Sequence, residues 1–519
     1  MLLWAYLFPD KAKVFLSGWE TNMTDIVRYP LGIFLGRSIF SFLILSIIFI
    51  QKVKNDSRSL YFLLVIIFTL YVSGCNHPDV HDEKRLPATY FVDSQNGNDA
   101  NSGLSQDQAW RSLEKAGSTK LFPGDSIRFK RGSVFSGALY ISDSGNSDQY
   151  ITLTDYGDPD LPAPSFTNAV FDPEKNNFGN CIRLQGSFIL LENMYCHHTV
   201  AQLPATAGSF AVMWELGAIY IDKTATHCVV RNNELFDCGV GIKSYGEHAL
   251  IENNYIHDCN RVLKEWSWGP IGVWLGADYQ EVCYNRIFNY SAVDPRITWG
   301  PDSYGGGADG GAIEIDDARV PKANISIHHN YTRDCQGFLE ATWTDVQKNP
   351  SYTNFHIHHN VSDDYQQFVA IWRGADCRIE NNTIIRRKKN VNDWGVFNIT
   401  QNNSKNLIRN NIIVVENDIV IFNVGKKGTA QPASIIANNL YFAASGVLNM
   451  GKEGPGQSFI IADPQLSDYW KSDNAYDFAI TAGSPARNKG LDLGYKTDFR
   501  KLPIPVENYY DIGAFEYNP

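Results

Sequence analysis

Two segments, VVRNNELFDC at 229–238 and LIENNYIHDC at 250–259, decide the reading of this chain. Each is an apolar strand, then an Asn-Asn pair, then a second short strand. The phrase continues as VCYNRIFNY at 282–290, ISIHHNYTRDC at 325–335 and FHIHHNVSDDY at 355–365. It returns as RIENNTIIRR at 378–387, LIRNNIIVVEN at 407–417 and IIANNLYFAAS at 435–445. The last Asn of each phrase is Asn233, Asn254, Asn285, Asn330, Asn360, Asn382, Asn411 and Asn439, in steps of 21, 31, 45, 30, 22, 29 and 28 residues. A period of roughly 20–30 residues built from short strands describes a solenoid. One coil cannot bury its own apolar face, so the coils must stack.

Composition agrees. Of 519 residues only 19% are charged, and Asn, Gly, Tyr and Phe are abundant, as turn-rich β structure requires. The net charge of −11 argues against nucleic acid as a partner, because phosphate binding needs a basic stripe. The nine cysteines contain no CxxC pair. Cys238, Cys259 and Cys335 each follow a repeat Asn by five residues, which predicts one buried column of small side chains. Disulfide connectivity is not deducible from sequence.

Two apolar stretches precede the repeats. Leu31–Ile50 is broken by Arg37 and reads as a transmembrane helix or as residues before the true start. Leu60–Val72 follows a positive flank and ends in Ser73-Gly74-Cys75. A positive flank, a short apolar core and small residues describe a secretory signal. The small residues before Cys75 resemble a bacterial lipoprotein signal, which implies lipidation at Cys75 and a membrane-anchored body outside the cytoplasm of a bacterium. The expected divisions are an extension at 1–55, a signal at 56–75, a tether at 76–88, a β-helix at 89–460 and a capping segment at 461–519.

The stretches TYFVDSQNGNDANSGLSQDQAWRSL at 89–113 and FPGDSIRFKRGSVFSGAL at 122–139 resemble the entry segment of right-handed parallel β-helix proteins of the pectin-lyase-like superfamily. ADPQL at 462–466, AGSPARNKG at 482–490 and DIGAFEY at 511–517 resemble the closing segment of such proteins. The resemblance implies an all-β fold, a single right-handed parallel β-helix with capped ends. It also implies a carbohydrate partner, since the superfamily is mostly one of polysaccharide lyases, glycoside hydrolases, epimerases and esterases, with some phage tail proteins and adhesins. Fold alone does not choose among them.

A further strand follows each phrase: GAIYID at 217–222, VGIKSY at 240–245, IGVWLG at 271–276, GAIEID at 311–316, GFLEAT at 337–342 and VAIWRG at 369–374. Strand side chains alternate between faces. Ile219, Ile242, Val273, Ile313, Leu339 and Ile371 form the inward set. The following residues, Tyr220, Lys243, Trp274, Glu314, Glu340 and Trp372, are expected in one solvent-facing column, with Asp222, Tyr245, Gly276, Asp316 and Thr342 in a second. Long insertions at 196–217, 261–270 and 291–311 lead into these strands and are expected to wall a groove.

Glu314 and Glu340 fall on adjacent coils, so strand spacing predicts carboxyls roughly 5 Å apart. Asp309, Asp316 and Asp317 lie close by. Like charges this near raise one pKa, and a raised acid beside an ionised carboxylate is the machinery of glycosidic cleavage. A gap of about 5 Å goes with retention of configuration. The assignment is Asp316 or Glu314 as nucleophile and Glu340 as acid/base. Lys243, Trp274, Trp299, Trp343, Trp372, Arg373, Asp309 and Asp317 are the expected substrate contacts. No cofactor or metal is called for, and the histidines of 328–329, 356 and 358–359 read as part of the stacked ladder. Arg386-Arg387-Lys388-Lys389 reads as a solvated loop. The protein is expected to act as a monomer.

Two alternatives stay open. One is a lyase on a uronic-acid polymer, with Lys243, Arg261 or Arg373 as base and Ca²⁺ held at Asp309, Glu314 and Asp316. The other is a glycan-binding surface protein without catalysis.

Overall fold

In a computed structural model the chain is described over residues 85–199, 215–259, 268–291, 309–315, 321–342, 351–387, 395–400, 403–416, 419–422, 433–451, 453–472 and 474–519. The segment 1–84, which holds both apolar stretches and Cys75, lies outside them. Among the described residues no helix is long and apolar enough to cross a membrane.

The described residues between 87 and 461 form a right-handed parallel β-helix. Its described strands fall into three long sheets of 15, 12 and 11 strands. Every neighbour pair in these sheets is parallel, and each coil contributes to all three. In the first sheet Val229–Arg231 pairs with Leu250–Glu252, then Glu281–Cys283, Ser326–His328 and His356–His358. The second sheet runs through Glu234–Phe236, Tyr255–His257, Arg286–Phe288 and Tyr331–Arg333. The interior is filled mainly by apolar side chains stacked from coil to coil. Val230, Ile251, Val282 and Ile327 stack from the first sheet, and Ile242, Val273, Ile313 and Leu339 from the third. Apolar burial of this kind contributes about 25 cal/mol per Å².

The turn between the first two sheets is where the Asn repeat acts. The residue before each repeat Asn is left-handed, with φ between 51° and 58° from Asn232 through Asn438. Asn tolerates that region; Tyr284, His329 and His359 occupy it against their steric preference. The Asn side chains hold them there. Asn330 Oδ1 accepts the backbone N–H of Asn285 at 3.1 Å and its Nδ2 at 3.0 Å, and Asn330 Nδ2 donates to the Val282 carbonyl at 2.9 Å. The same three bonds recur up the stack, with Asn360 receiving from Asn330, Asn382 from Asn360, Asn411 from Asn382 and Asn439 from Asn411. All eight side chains are buried.

The N-terminal end opens with Thr89–Val92 paired to Ser126–Lys130. The Asp125 carboxylate ties this entry together by accepting from the backbone N–H groups of Ala88 at 2.7 Å and Phe122 at 2.9 Å. A short helix, Leu113–Ser118, is capped by Ser112 and buries Leu113 and Ala116. The segment after residue 461 does more than close the far end. It returns along the outer face of the second sheet, where Phe478, Ile480, Ile512 and Phe515 pack on Phe288, Tyr331, Val361 and Ile412. Tyr331 Oη donates to the Ser472 carbonyl, His329 Nε2 meets the Asp498 carbonyl at 3.1 Å, and Tyr495 Oη donates to Glu380.

Two expectations are corrected. The cysteine column is interrupted, because Tyr290 takes the place between Cys259 and Cys335 and donates its hydroxyl to the Cys238 carbonyl. All eight described cysteines are buried. Arg386 and Arg387 are not a solvated run. The strand Thr383–Arg386 carries Arg386 into the coil interior, where Nε donates to the Gln366 carbonyl at 2.6 Å and Nη1 to Ser362 Oγ at 3.1 Å. Burial lowers its pKa to about 10, so it stays charged at neutral pH. The interior also holds Asp364, bonded by Thr332 Oγ1, Ser362 Oγ and the Cys335 N–H. Arg387 pairs with Asp363 at 2.8 Å and lies over Tyr469 and Trp470. Lys388 and Lys389 lie outside the described residues.

The histidines form a double stack as expected. His328 lies on His358 with ring centroids 4.8 Å apart, and His329 on His359 at 5.2 Å. Burial holds His358 and His359 well below the ordinary imidazole range and His329 near 3.

Two outcomes are expected. Asn330→Ala orphans two buried donors of Asn285 and the Val282 carbonyl, so denaturant unfolding should show a loss of about 3 kcal/mol. A loss under about 0.5 kcal/mol would show that the ladder is decorative. The depressed imidazoles stay neutral when folded but take protons when unfolded below about pH 6.5. Each therefore removes about 1.4 kcal/mol of stability per pH unit as pH falls below that point. Melting curves between pH 7 and 5 should show a shallower acid dependence for His359→Gln than for the parent chain.

Candidate active site

The third sheet carries the expected chemistry. Ile219–Ile221 pairs with Val240–Ser244, then Trp268–Leu275, Asp309–Glu314, Leu339–Ala341, Val369–Trp372 and Phe397–Thr400. Tyr220 pairs with Lys243, Lys243 with Trp274, Trp274 with Glu314, and Glu314 with Glu340. Their neighbours Ile242, Val273, Ile313 and Leu339 fill the interior, so alternation points this file away from the coil centre. The two glutamates are thus direct neighbours across a parallel ladder, whose strands lie about 4.8 Å apart.

The column is not open to solvent, and this corrects the exposed groove. Glu314 is 4% and Glu340 5% exposed, while Lys243 and Trp274 are wholly buried. Large side chains at strand spacing leave no room between them. The Lys243 ammonium sits 3.2 Å from the centre of the Trp274 ring. Its aromatic partner thus replaces part of the water that a buried cation loses.

Trp372 is also corrected. Glu340 pairs with Ala370, and Ala341 with Ile371. Val369 therefore takes the inward position level with Leu339, and Trp372 moves two residues along, beside Thr342. A two-residue slip leaves every side chain on the same face, so the apolar pattern does not detect it. Arg373 follows in the left-handed conformation at φ 59°, with its carbonyl accepting from the Ser351 N–H at 2.9 Å. Asp309 pairs with Trp268 at the start of its strand. Asp316, Asp317, Trp299, Trp343 and Arg261 lie outside the described residues, as do most of the three insertions.

Several site residues escaped the sequence reading. Thr342 Oγ1 donates to Glu340 Oε1 at 2.7 Å, and Gln367 Nε2 approaches Glu340 Oε2 at 3.4 Å. Gly337 makes room for that amide, because a Cβ there would meet the Gln367 side chain at 2.6 Å. Gln367 Oε1 and Asn398 Oδ1 are buried acceptors with no partner among the described residues. Asn398 stands next to Ala370 in the file of Glu340.

At the other end the file extends to Arg183 and Tyr140. Arg183 lies over the Tyr220 ring at 4.3 Å and grips Asp222 through Nε at 2.9 Å and Nη2 at 2.8 Å. Its Nη1 bonds Glu215 at 2.8 Å. The phrase CIRLQG at 181–186 carries the same alternation as GAIYID and could have revealed Arg183.

A family model described as a right handed beta helix region matches residues 210–384. A lacto-N-biosidase of Bifidobacterium longum subsp. longum is 44% identical over 80 residues, which is 15% of this chain. The match spans only 5% of that relative's length. Among solved structures, a GH136 lacto-N-biosidase from Eubacterium ramulus aligns over 73% of this chain and 68% of its own, with TM-score 0.38 and 14% identity. The pectate lyase Pel9A aligns over 83% of this chain and 96% of its own, with TM-score 0.46 and 13% identity.

Proposed function

We propose that this chain is a glycoside hydrolase that cleaves oligosaccharides or polysaccharides with retention of configuration, using Glu314 and Glu340. The observation that carries this reading is their pairing across adjacent strands at very low exposure. Two carboxylates at strand spacing in a buried site repel when both are charged, which favours a proton on one of them. The match to a lacto-N-biosidase supports carbohydrate hydrolysis over a purely structural role. The protein acts outside the cytoplasm, held to a membrane through its N-terminal segment.

The hydrogen bonds to Glu340 support one division of roles. Thr342 and Gln367 donate to Glu340, which favours its charged form. Glu340 is then the nucleophile and Glu314 the acid, an exchange of the roles expected from sequence. Glu340 attacks the anomeric carbon as the glycosidic C–O bond breaks, and Glu314 gives its proton to the departing oxygen. Glu314 next takes a proton from water, whose oxygen displaces Glu340 from the glycosyl ester. The unfilled acceptors of Gln367 and Asn398 suit sugar hydroxyls.

Incubation with a glycan panel should release new reducing ends without ultraviolet-absorbing unsaturation. Glu314→Gln should slow a natural substrate about 10²–10⁴-fold yet retain most of kcat/KM on an aryl glycoside whose leaving group needs no proton, with kcat lowered because the glycosyl ester then hydrolyses slowly. Glu340→Gln should lose activity on both. Unsaturated products would establish a lyase instead, with Lys243 as the nearest candidate base. Full activity in both variants would move the chemistry away from this pair.

A further inference from the structure

The outer face of the first sheet holds a second cluster, separate from the glutamate pair. Glu281 and Cys283 lie two residues apart and so share one face of their strand. Cys283 pairs directly with His328 on the next coil and with Glu252 on the coil before. One oxygen of Glu281, the Cys283 sulfur and one His328 nitrogen all lie within 4.8 Å of one another.

The hydrogen bonds around His328 aim its Nε2 atom at Glu281. The Asp498 carbonyl can only accept, so the His329 Nε2 atom 3.1 Å away carries a hydrogen. The His329 ring is 5% exposed and packs against His359, Tyr284 and Phe499, surroundings that favour its neutral form. Its Nδ1 therefore accepts, and the His328 Nδ1 atom at 2.8 Å donates. A neutral His328 then directs the lone pair of Nε2 at Glu281 Oε1, 3.0 Å away. Two lone pairs at that distance repel. A cation between them removes the conflict, and that cation is a proton or a metal ion. A proton needs only the nitrogen and the oxygen. Here a thiol stands beside both, with the Glu252 carboxylate next in the file.

We propose that Glu281 Oε1, Cys283 Sγ and His328 Nε2 bind one borderline-soft divalent ion of the zinc class. Sulfur, imidazole and carboxylate together are the donor set such an ion selects over calcium or magnesium. A tetrahedral ion with bonds of about 2.0–2.3 Å holds its ligands roughly 3.3–3.8 Å apart. The nitrogen and oxygen, now 3.0 Å apart, open slightly to admit it, and the sulfur already lies within 4.8 Å of both. The His328 Nδ1–H bond to His329 fixes the tautomer that presents Nε2, as metal-binding imidazoles require. The Glu281 side chain is 47% exposed and provides the entry path. On binding, the Cys283 S–H bond breaks, its proton leaves to solvent and the sulfur pair goes to the metal. Because His329 also meets Asp498, the ion braces the coil surface on which the returning C-terminal segment rests.

The test is a Co²⁺ titration of the chelator-stripped chain, followed by optical absorption. One equivalent should bind, giving a thiolate-to-cobalt charge-transfer band and the visible bands of a tetrahedral site, and Zn²⁺ should bleach both. Cys283→Ser should abolish the charge-transfer band, and His328→Gln should weaken binding at least 10-fold. A parent chain that shows no charge-transfer band overturns the proposal and leaves a proton in the gap. A band that survives Cys283→Ser overturns it equally. Neither readout depends on glycosidase activity, so failure here leaves the glutamate pair untouched.

Discussion

The amide ladder of the repeat asparagines is the constraint on which the rest of this molecule depends. A parallel coil must turn sharply between its first and second sheets, and the turn leaves backbone N–H groups pointing inward. In each coil the next Asn supplies the acceptor, while its own amide reaches a carbonyl of the previous coil. Each turn is therefore completed by its neighbour. The bonds also hold Tyr284, His329 and His359 in a left-handed conformation that costs about 1–3 kcal/mol per residue when unsupported. The ladder ties each turn between the first and second sheets to the turn of the next coil.

The same register builds the candidate site. The third sheet inherits its alignment from the turns, so Glu314 and Glu340 face each other although 26 residues of chain separate them. Both are shielded, and the shielding alters what a carboxylate pair can do. In water each would ionise independently; in this file one charge suppresses the other. Thr342 and Gln367 both donate to Glu340. Further along, Lys243 on Trp274 and Arg183 on Tyr220 show the same solution for cations: an aromatic ring on an adjacent coil.

Much of this was legible in the residues. The Asn phrase declared the solenoid, and the shared alternation of the strands GAIYID, VGIKSY, IGVWLG, GAIEID and GFLEAT placed Tyr220, Lys243, Trp274, Glu314 and Glu340 in one file. The reading slipped where the physics gives no sign. Trp372 was set level with Glu340 because a shift of two residues conserves alternation, and Ala370 looks as plausible as Trp372 on an outward face. Exposure was misjudged because polarity was taken for access to water; Lys243 and Glu340 are polar and buried. Arg386 was read as part of a loop because four successive cations imitate a solvated run, whereas strand parity turns the first of them inward. Gln367 and Asn398 were missed because their roles depend on contacts between coils, which no single phrase records.

The return of residues 462–519 along the second sheet changes how such a stack can come apart. A linear array held only by nearest neighbours frays from its ends, one rung at a time. Here the final residues are fastened to rungs far back in the array, at Phe288, Tyr331 and Val361. The outermost rungs cannot peel away while that tail stays fastened across them. Loss of the end and loss of the middle become one event, and an additive array behaves as a single cooperative body.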